Sequence, residues 1–200
     1  MRVLLVGTRP DAVDATRSVL EEAGHEVVGC RDAHAGDVPC SALVERGSCP
    51  LEGAPVDVVV TARERSLATP APTEDGAVCA VHRLVPLVVH GATASDPFAR
   101  WAVAESATDD ELRVAVAAAA EAPLPEHGRV ATATLREALA AVGVDASGDE
   151  ATVTRSAGRL TVRLTLTEPA RVHAPSATVR ILTALRALDP YAHTIDVVRA

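Results

Sequence analysis

Short apolar runs alternate with helical patterns along residues 1–122. The strongest run, 56–62 (VDVVVTA), is rich in β-branched residues and apolar on both faces. This pattern is typical of a buried strand in a parallel sheet. Weaker runs predict strands over 2–6, 26–30, 86–90 and 101–104, and helical spacing predicts helices over 12–23, 41–46, 75–84 and 109–122. Because alternating strands and helices form parallel sheets with crossover connections, we expect a doubly wound, five-stranded α/β domain over residues 1–122.

A different pattern follows residues 123–130, whose prolines and glycine indicate a linker. Residues 151–156 and 159–167 alternate apolar and polar side chains around Ala157-Gly158, which predicts a β-hairpin. Helices are predicted over 134–142 and 176–188, and a last strand over 194–199. The order α-β-β-α-β predicts a small α+β domain over residues 131–200, with helices on one face of a mixed sheet.

Composition and charge narrow the class of protein. Hydrophobic residues make up 48% but aromatic residues only 2%, so alanine, valine and leucine must build the core. The net charge is −8 and the arginines are scattered, which argues against nucleic acid as a partner because phosphate binding needs clustered cations. No signal peptide is evident, and no apolar stretch approaches the roughly 20 residues that span a bilayer. We therefore expect a cytoplasmic protein that does not bind membranes and whose cysteines are reduced or metal-bound.

Several segments of the first half resemble, in the same order, segments of the receiver domain of bacterial response regulators. Residues 2–30 resemble its first strand, first helix and second strand, and VDVVVTARE (56–64) resembles its third strand. EDGAVCAVHRLVPLVVHGA (74–92) resembles its third helix and fourth strand, and WAVAESATDDELRVAVAAA (101–119) its fifth strand and last helix. The resemblance implies a flavodoxin-like fold, and another flavodoxin-like domain is the alternative.

The residues that carry receiver chemistry are replaced at every matching position. The family uses two acids after the first strand to hold Mg²⁺, a phosphoryl-accepting aspartate after the third, a threonine or serine after the fourth and a lysine after the fifth. The corresponding residues here are, in that order, Gly7 and Thr8, Ala62 (or Thr61 with a one-residue shift), Gly91, and Glu105 or Ser106. Without carboxylates for Mg²⁺ or a cation for the phosphoryl charge, the resemblance implies a pseudo-receiver that is not phosphorylated.

The four cysteines of the chain all lie in the first half: Cys30, Cys40, Cys49 and Cys79. One hypothesis is a shared zinc or iron–sulfur site. The spacing lacks the paired C-x₂-C of such sites, and small buried thiols that pack in the core are the alternative. We therefore expect no cofactor, with zinc or an iron–sulfur cluster as the alternative.

A second candidate site lies where the predicted parallel strands end. Ligands of open α/β sheets bind at the carboxyl ends of the strands, and arginines there are suited to a phosphate or another anion. The residues expected at this edge are Thr8, Arg9, Thr61, Arg63, His90 and Glu105. Solvated loop ends are the alternative interpretation of each of them.

Phe98 and Trp101 are candidates for a protein interface, since aromatic residues are enriched in interface cores, and core filling is the alternative. No nucleophile–base pair and no glycine-rich phosphate loop is evident, so an enzyme is the less favoured class. We expect a non-catalytic regulatory or scaffold protein that binds a protein partner and forms a homodimer. The alternatives are a cysteine-ligated metal or redox sensor, and a binder of small molecules or anions at the sheet edge.

Overall fold

The structure is a computed structural model that describes residues 1–30, 49–52, 54–63, 69–91, 96–156, 159–190, 192 and 194–199. The chain divides into two compact units, Met1–Ala120 and Glu121–Ala200. The short helix expected over 41–46 and the hairpin turn at 157–158 lie outside the described residues.

The first unit is built on a five-stranded parallel sheet of order β2-β1-β3-β4-β5. This strand order is the one found in flavodoxin-like folds, and the α/β class expected from the sequence is confirmed at that level. The elements are β1 (Arg2–Gly7), α1 (Pro10–Glu22), β2 (Glu26–Gly29), β3 (Val58–Arg63), α2 (Asp75–His82), β4 (Leu87–Gly91), β5 (Ala102–Ser106) and α3 (Asp109–Glu121).

The apolar core of this unit lies on both faces of the sheet. All six residues of β3 are buried, as the apolar run predicts for a strand at the centre of a covered sheet. Alternate residues face opposite sides. Val58 and Val60 pack in one cluster with Leu112 and Val116 of α3, whereas Val59 packs in another with residues of α2.

The helix α3 begins with a capping box formed by Thr108 and Glu111. The Glu111 carboxylate accepts hydrogen bonds from the backbone N–H groups of Ala107 (2.8 Å) and Thr108 (3.1 Å). The backbone N–H of Glu111 in turn donates to the hydroxyl of Thr108 at 3.3 Å. These reciprocal bonds satisfy N–H groups that a helix start leaves without partners, and they place the first turn of α3 beside the end of β5.

The second unit contains a three-stranded mixed sheet of order β6-β7-β8, in which β6 and β7 are antiparallel and β7 and β8 are parallel. Alternate residues of β6 and β7 are buried against the two helices, as their alternating pattern predicts. The elements are α4 (Pro125–Ala140), β6 (Glu150–Ser156), β7 (Arg159–Thr165), α5 (Glu168–Leu188) and β8 (Thr194–Arg199).

Both helices of this unit begin earlier than expected. Residues 125–130, expected to belong to the linker, form the start of α4, because Pro125 lies in the first turn, where a missing N–H costs no hydrogen bond. The helix α5 begins at Glu168 and continues through Pro175. A proline inside a helix costs about 3 kcal/mol, and α5 buries Ala170, Ala174 and Ala177 on both sides of it. No helix in the described ranges is long and apolar enough to cross a membrane.

Candidate functional site

One row of residues crosses the carboxyl edge of the five-stranded sheet. Gly7 of β1 is in register with Ala62 of β3, Ala62 with His90 of β4, and His90 with Ser106 of β5. Ala62 belongs to the cluster that packs against α1 and α3, which places the row on that face of the sheet. No residue of the row carries a carboxylate or a fixed positive charge.

The first position of this row is closed to any residue with a side chain. A Cβ atom added at Gly7 would lie 2.5 Å from Cγ2 of Val13 and 2.7 Å from the carbonyl oxygen of Ala62. Protein atoms do not approach a Cβ so closely, and the Ala62 oxygen belongs to the backbone of the central strand. Position 7 therefore accepts only glycine, because β3 and α1 leave no space for a side chain there.

Gly91 is closed in the same way at the end of β4. Its φ angle is +101°, a conformation that glycine adopts readily and other residues rarely do. An added Cβ would lie 1.7 Å from the carbonyl oxygen of Arg63. Both the conformation and the contact require glycine at this position.

His90 connects β4 with β5 and with the start of α3. Its Nδ1 shares a hydrogen bond with the Ser106 hydroxyl at 3.0 Å, and its Nε2 lies 3.8 Å from a carboxylate oxygen of Asp109. Burial lowers the pKa of His90, and this effect outweighs the Asp109 carboxylate and Ser106, which raise it. The Ser106 side chain is buried, and its hydrogen bond with His90 connects β4 with β5.

Arg63 lies on the other face of the sheet, inside a network of buried charges. Its Nη2 donates to Glu74 at 2.7 Å, and its Nε forms an ion pair with Asp96 at 3.0 Å without hydrogen-bond alignment. All three side chains are fully buried. The guanidinium also lies over the Phe98 ring, 5.5 Å from its centroid. Because two carboxylates already surround this cation, it is not open to an anion from solvent.

The two acids of this network were not among the residues expected at the sheet edge. Glu74 accepts a second hydrogen bond from the Ala71 backbone N–H at 2.8 Å, and Asp96 accepts one from the Phe98 N–H at 2.8 Å. Each lies in a polar segment beside a turn, where the sequence favours a solvated carboxylate. No sequence signal distinguishes a buried acid from an exposed one at such positions.

The six residues expected at the edge differ in the face of the sheet they occupy and in their exposure. Thr61 is buried, and its hydroxyl has no hydrogen-bond partner within the described residues. It alternates with Ala62, so it shares the face of Arg63, whereas His90 lies on the opposite face. Thr8 is half-buried, and Arg9 and Glu105 are exposed. Arg9 forms an exposed ion pair with Asp11 at 3.5 Å.

The three cysteines that the structure describes lie in different segments of the first unit. Cys30, just after β2, is half-buried and packs against α2, where a Cβ added at Gly76 would lie 2.6 Å from its Sγ. Cys49 is half-buried and Cys79 is exposed on α2, while Cys40 lies outside the described residues. Among the described residues, no group of three or more histidine, cysteine, aspartate or glutamate side chains is arranged to hold a metal ion. A metal site that includes Cys40 stays a prediction.

The two candidate interface aromatics lie in different environments. Phe98 is 1% exposed and belongs to the core, so it fills space inside the unit. Trp101 is 42% exposed, and the Arg100 guanidinium lies 3.7 Å from its ring centroid. Val103 of β5, close by in sequence, is 51% exposed. Only Trp101 of the pair therefore offers an aromatic surface to a partner.

The second unit has a buried charged cluster of its own. Nε2 of His127 lies 3.2 Å from Oδ2 of Asp189, and Arg155 donates to the same oxygen. Burial raises the pKa of Asp189, but the His127 hydrogen bond and the charge of Arg155 together lower it further, so the net pKa is below its ordinary value. These contacts connect α4, β6 and the end of α5.

Comparison of the chain with protein-family models, with curated proteins and with solved structures gives no match. No site residue can therefore be transferred from a relative.

Proposed function

We propose that the chain is a non-catalytic regulatory or scaffold protein that acts through protein contacts and forms a homodimer. In this proposal, the first unit is a receiver-like domain that is not phosphorylated, and the second is a small interaction domain. The strand order β2-β1-β3-β4-β5 and the ordered likeness of the strand phrases to receiver domains support the first part.

The observation that carries the proposal is the steric closure of two positions that receiver chemistry needs. An acid at position 7 would meet the Ala62 carbonyl oxygen, and a serine or threonine at position 91 would meet the Arg63 carbonyl oxygen. Both obstacles are backbone atoms of β3, which a change of rotamer cannot move. With the strands in these positions, neither position 7 nor position 91 has room for such a side chain.

The charges at the sheet edge support the same conclusion. Mg²⁺ needs carboxylate oxygens, and the row of Gly7, Ala62, His90 and Ser106 supplies none. A transferring phosphoryl group needs a nearby cation, but Arg63 is buried between Glu74 and Asp96. His90 adds no fixed positive charge, since burial lowers its pKa and favours the neutral ring.

The exposed side chains around the start of β5 supply a surface for protein contact. β5 lies at one end of the described sheet, and Trp101 and Val103 leave much of their apolar surface in water. Arg100, stacked on the Trp101 ring, adds a residue type that is also enriched at the energetic centres of interfaces. In this proposal the surface formed by Arg100, Trp101 and Val103 is the homodimer contact.

A phosphorylation assay tests the proposal that the first unit is not phosphorylated. The full chain is incubated with acetyl phosphate and Mg²⁺, beside a phosphorylatable receiver domain as the positive control, and both are measured by intact mass spectrometry. We expect the control to gain a phosphoryl group and this chain to gain none. A hydroxylamine-sensitive phosphoryl group on an aspartate within residues 1–120 would show that the proposal is wrong.

A further inference from the structure

A groove of about 480 Å³ runs between α4 and the outer side of β6 in the second unit. From α4 it is lined by residues that recur at helical spacing, among them Arg129, Thr132 and Arg136, and from β6 by Glu150 and Thr152. Its volume lies in the range of small-molecule sites, roughly 300–1,000 Å³. Every lining residue belongs to the second unit.

The groove does not accept an added β-strand, because Leu124 and Thr132 already occupy hydrogen-bonding groups on the outer edge of β6. The Thr132 hydroxyl accepts from the Ala151 N–H at 2.9 Å and lies 3.2 Å from the Ala151 carbonyl oxygen. The Leu124 N–H donates to the Val153 carbonyl at 2.7 Å. An occupant must therefore bind through side chains rather than by extending the sheet.

Arg136 brings a positive charge to the groove that no acid neutralises within the described part of the chain. Its Nε donates to the Asp149 carbonyl at 3.0 Å and its Nη2 to the Ser147 carbonyl at 3.2 Å. These acceptors are neutral, so they fix the orientation of the guanidinium without cancelling its charge. A guanidinium has five N–H donors, and Nη1 uses neither of these carbonyls.

Glu150 brings a negative charge that no cation neutralises among the described residues. Glu150 is exposed, is among the residues that line the groove, and forms no ion pair with a described residue. Arg129 also lines the groove, but it forms hydrogen bonds with Glu126, with Nε 3.0 Å from Oε2, so this pair adds no net charge. The groove therefore contains one uncompensated cation and one uncompensated anion, with Thr132 and Ala133 also in its lining.

We propose that this groove binds a small zwitterion, an amino acid or a short peptide, with its carboxylate on Arg136 and its ammonium group on Glu150. Charge-assisted hydrogen bonds of this kind are stronger than neutral ones. A ligand with a single charge would leave one of the two groups without a partner.

Titration of the isotope-labelled full chain with glycine, glycylglycine and triglycine, followed by amide NMR, tests this site. The three probes differ in the separation of their charges, and acetate and ethylammonium serve as single-charge controls. We expect one of the glycine probes to shift the amides of Thr132, Ala133, Ala151 and Thr152 and to bind at least tenfold more tightly than either control. No shift with any glycine probe, or equal binding of acetate, overturns the proposal.

Three variants locate the binding. Glu150→Gln removes the anion and Ala133→Leu fills the groove, both at exposed positions, and each is expected to weaken binding at least tenfold. Arg136→Met is expected to do the same if circular dichroism shows that it folds. Arg163→Met, an exposed arginine of β7 outside the groove, is the matched control and should bind like the wild type. Wild-type binding by both Glu150→Gln and Ala133→Leu would show that the ligand binds elsewhere.

Discussion

A series of three glycine-to-alanine variants separates the two reasons why the sheet edge is closed. Gly24 has a φ angle of +81° but nothing within 4 Å of an added Cβ, so Gly24→Ala introduces backbone strain alone. A left-handed conformation costs a non-glycine residue about 1–2 kcal/mol. Gly7→Ala introduces contacts at 2.5 and 2.7 Å without a left-handed φ angle, and overpacking of this kind costs about 1–3 kcal/mol.

Gly91→Ala combines both effects, since its φ angle is +101° and its Cβ would lie 1.7 Å from a backbone oxygen. We expect it to lower the free energy of unfolding by more than about 4 kcal/mol, a loss that single substitutions rarely cause. With a urea m-value of about 2 kcal/mol/M, the midpoint of unfolding should fall by about 2 M. The corresponding fall for Gly24→Ala should be below about 1 M.

Urea unfolding followed by tryptophan fluorescence measures these differences in the relevant unit. Trp101 is the single tryptophan of the chain and lies in the first unit with all three glycines. Its emission therefore reports on that unit even if the second unit unfolds separately. If Gly91→Ala unfolds at the same urea concentration as Gly24→Ala, the Arg63 carbonyl does not exclude a side chain, and the steric basis of the proposed function fails.

Three further predictions concern charge, association and pH. Arg63→Met leaves two buried carboxylates without their cation and should lower the free energy of unfolding by about 3–5 kcal/mol; the exposed Arg9→Met, matched in residue type, should change it by less than about 1 kcal/mol. Equal urea midpoints would contradict the buried network. Trp101→Ala should convert the proposed dimer to a monomer in sedimentation velocity, whereas Val114→Ala, at an exposed valine of α3, should leave it dimeric. If Trp101→Ala sediments as a dimer like the wild type, the dimer contact lies elsewhere. Because burial lowers the pKa of His90 in the folded chain, the unfolded chain binds more protons at acidic pH. The contribution of His90 to stability is therefore complete above pH 6.5 and is lost as the pH falls from 6.5 toward the folded pKa. His90→Gln should reduce this dependence, and an unchanged pH profile would assign it to other groups.

The pattern of apolar residues alone predicts most of the fold. The run at 56–62 requires a strand covered on both faces, and β3 is buried throughout. Thr108 and Glu111 predict the start of α3 because a capping box depends only on residues three positions apart. The alternation in 159–167 likewise predicts β7 with one buried face. Each of these features follows from local spacing, which the sequence records directly.

The properties of the candidate site depend instead on contacts between residues far apart in the chain. The sequence is compatible with a solvated Arg63 at the end of a strand, but the fold places Glu74 and Asp96 around it. Gly91 looks like an ordinary loop glycine, and only the approach of β4 to the Arg63 carbonyl makes a side chain impossible there. The prolines of residues 123–130 predict a linker, but a first helical turn tolerates Pro125 equally well. Burial, charge pairing and steric closure are set by tertiary packing, because the same residue in solvent has none of these constraints.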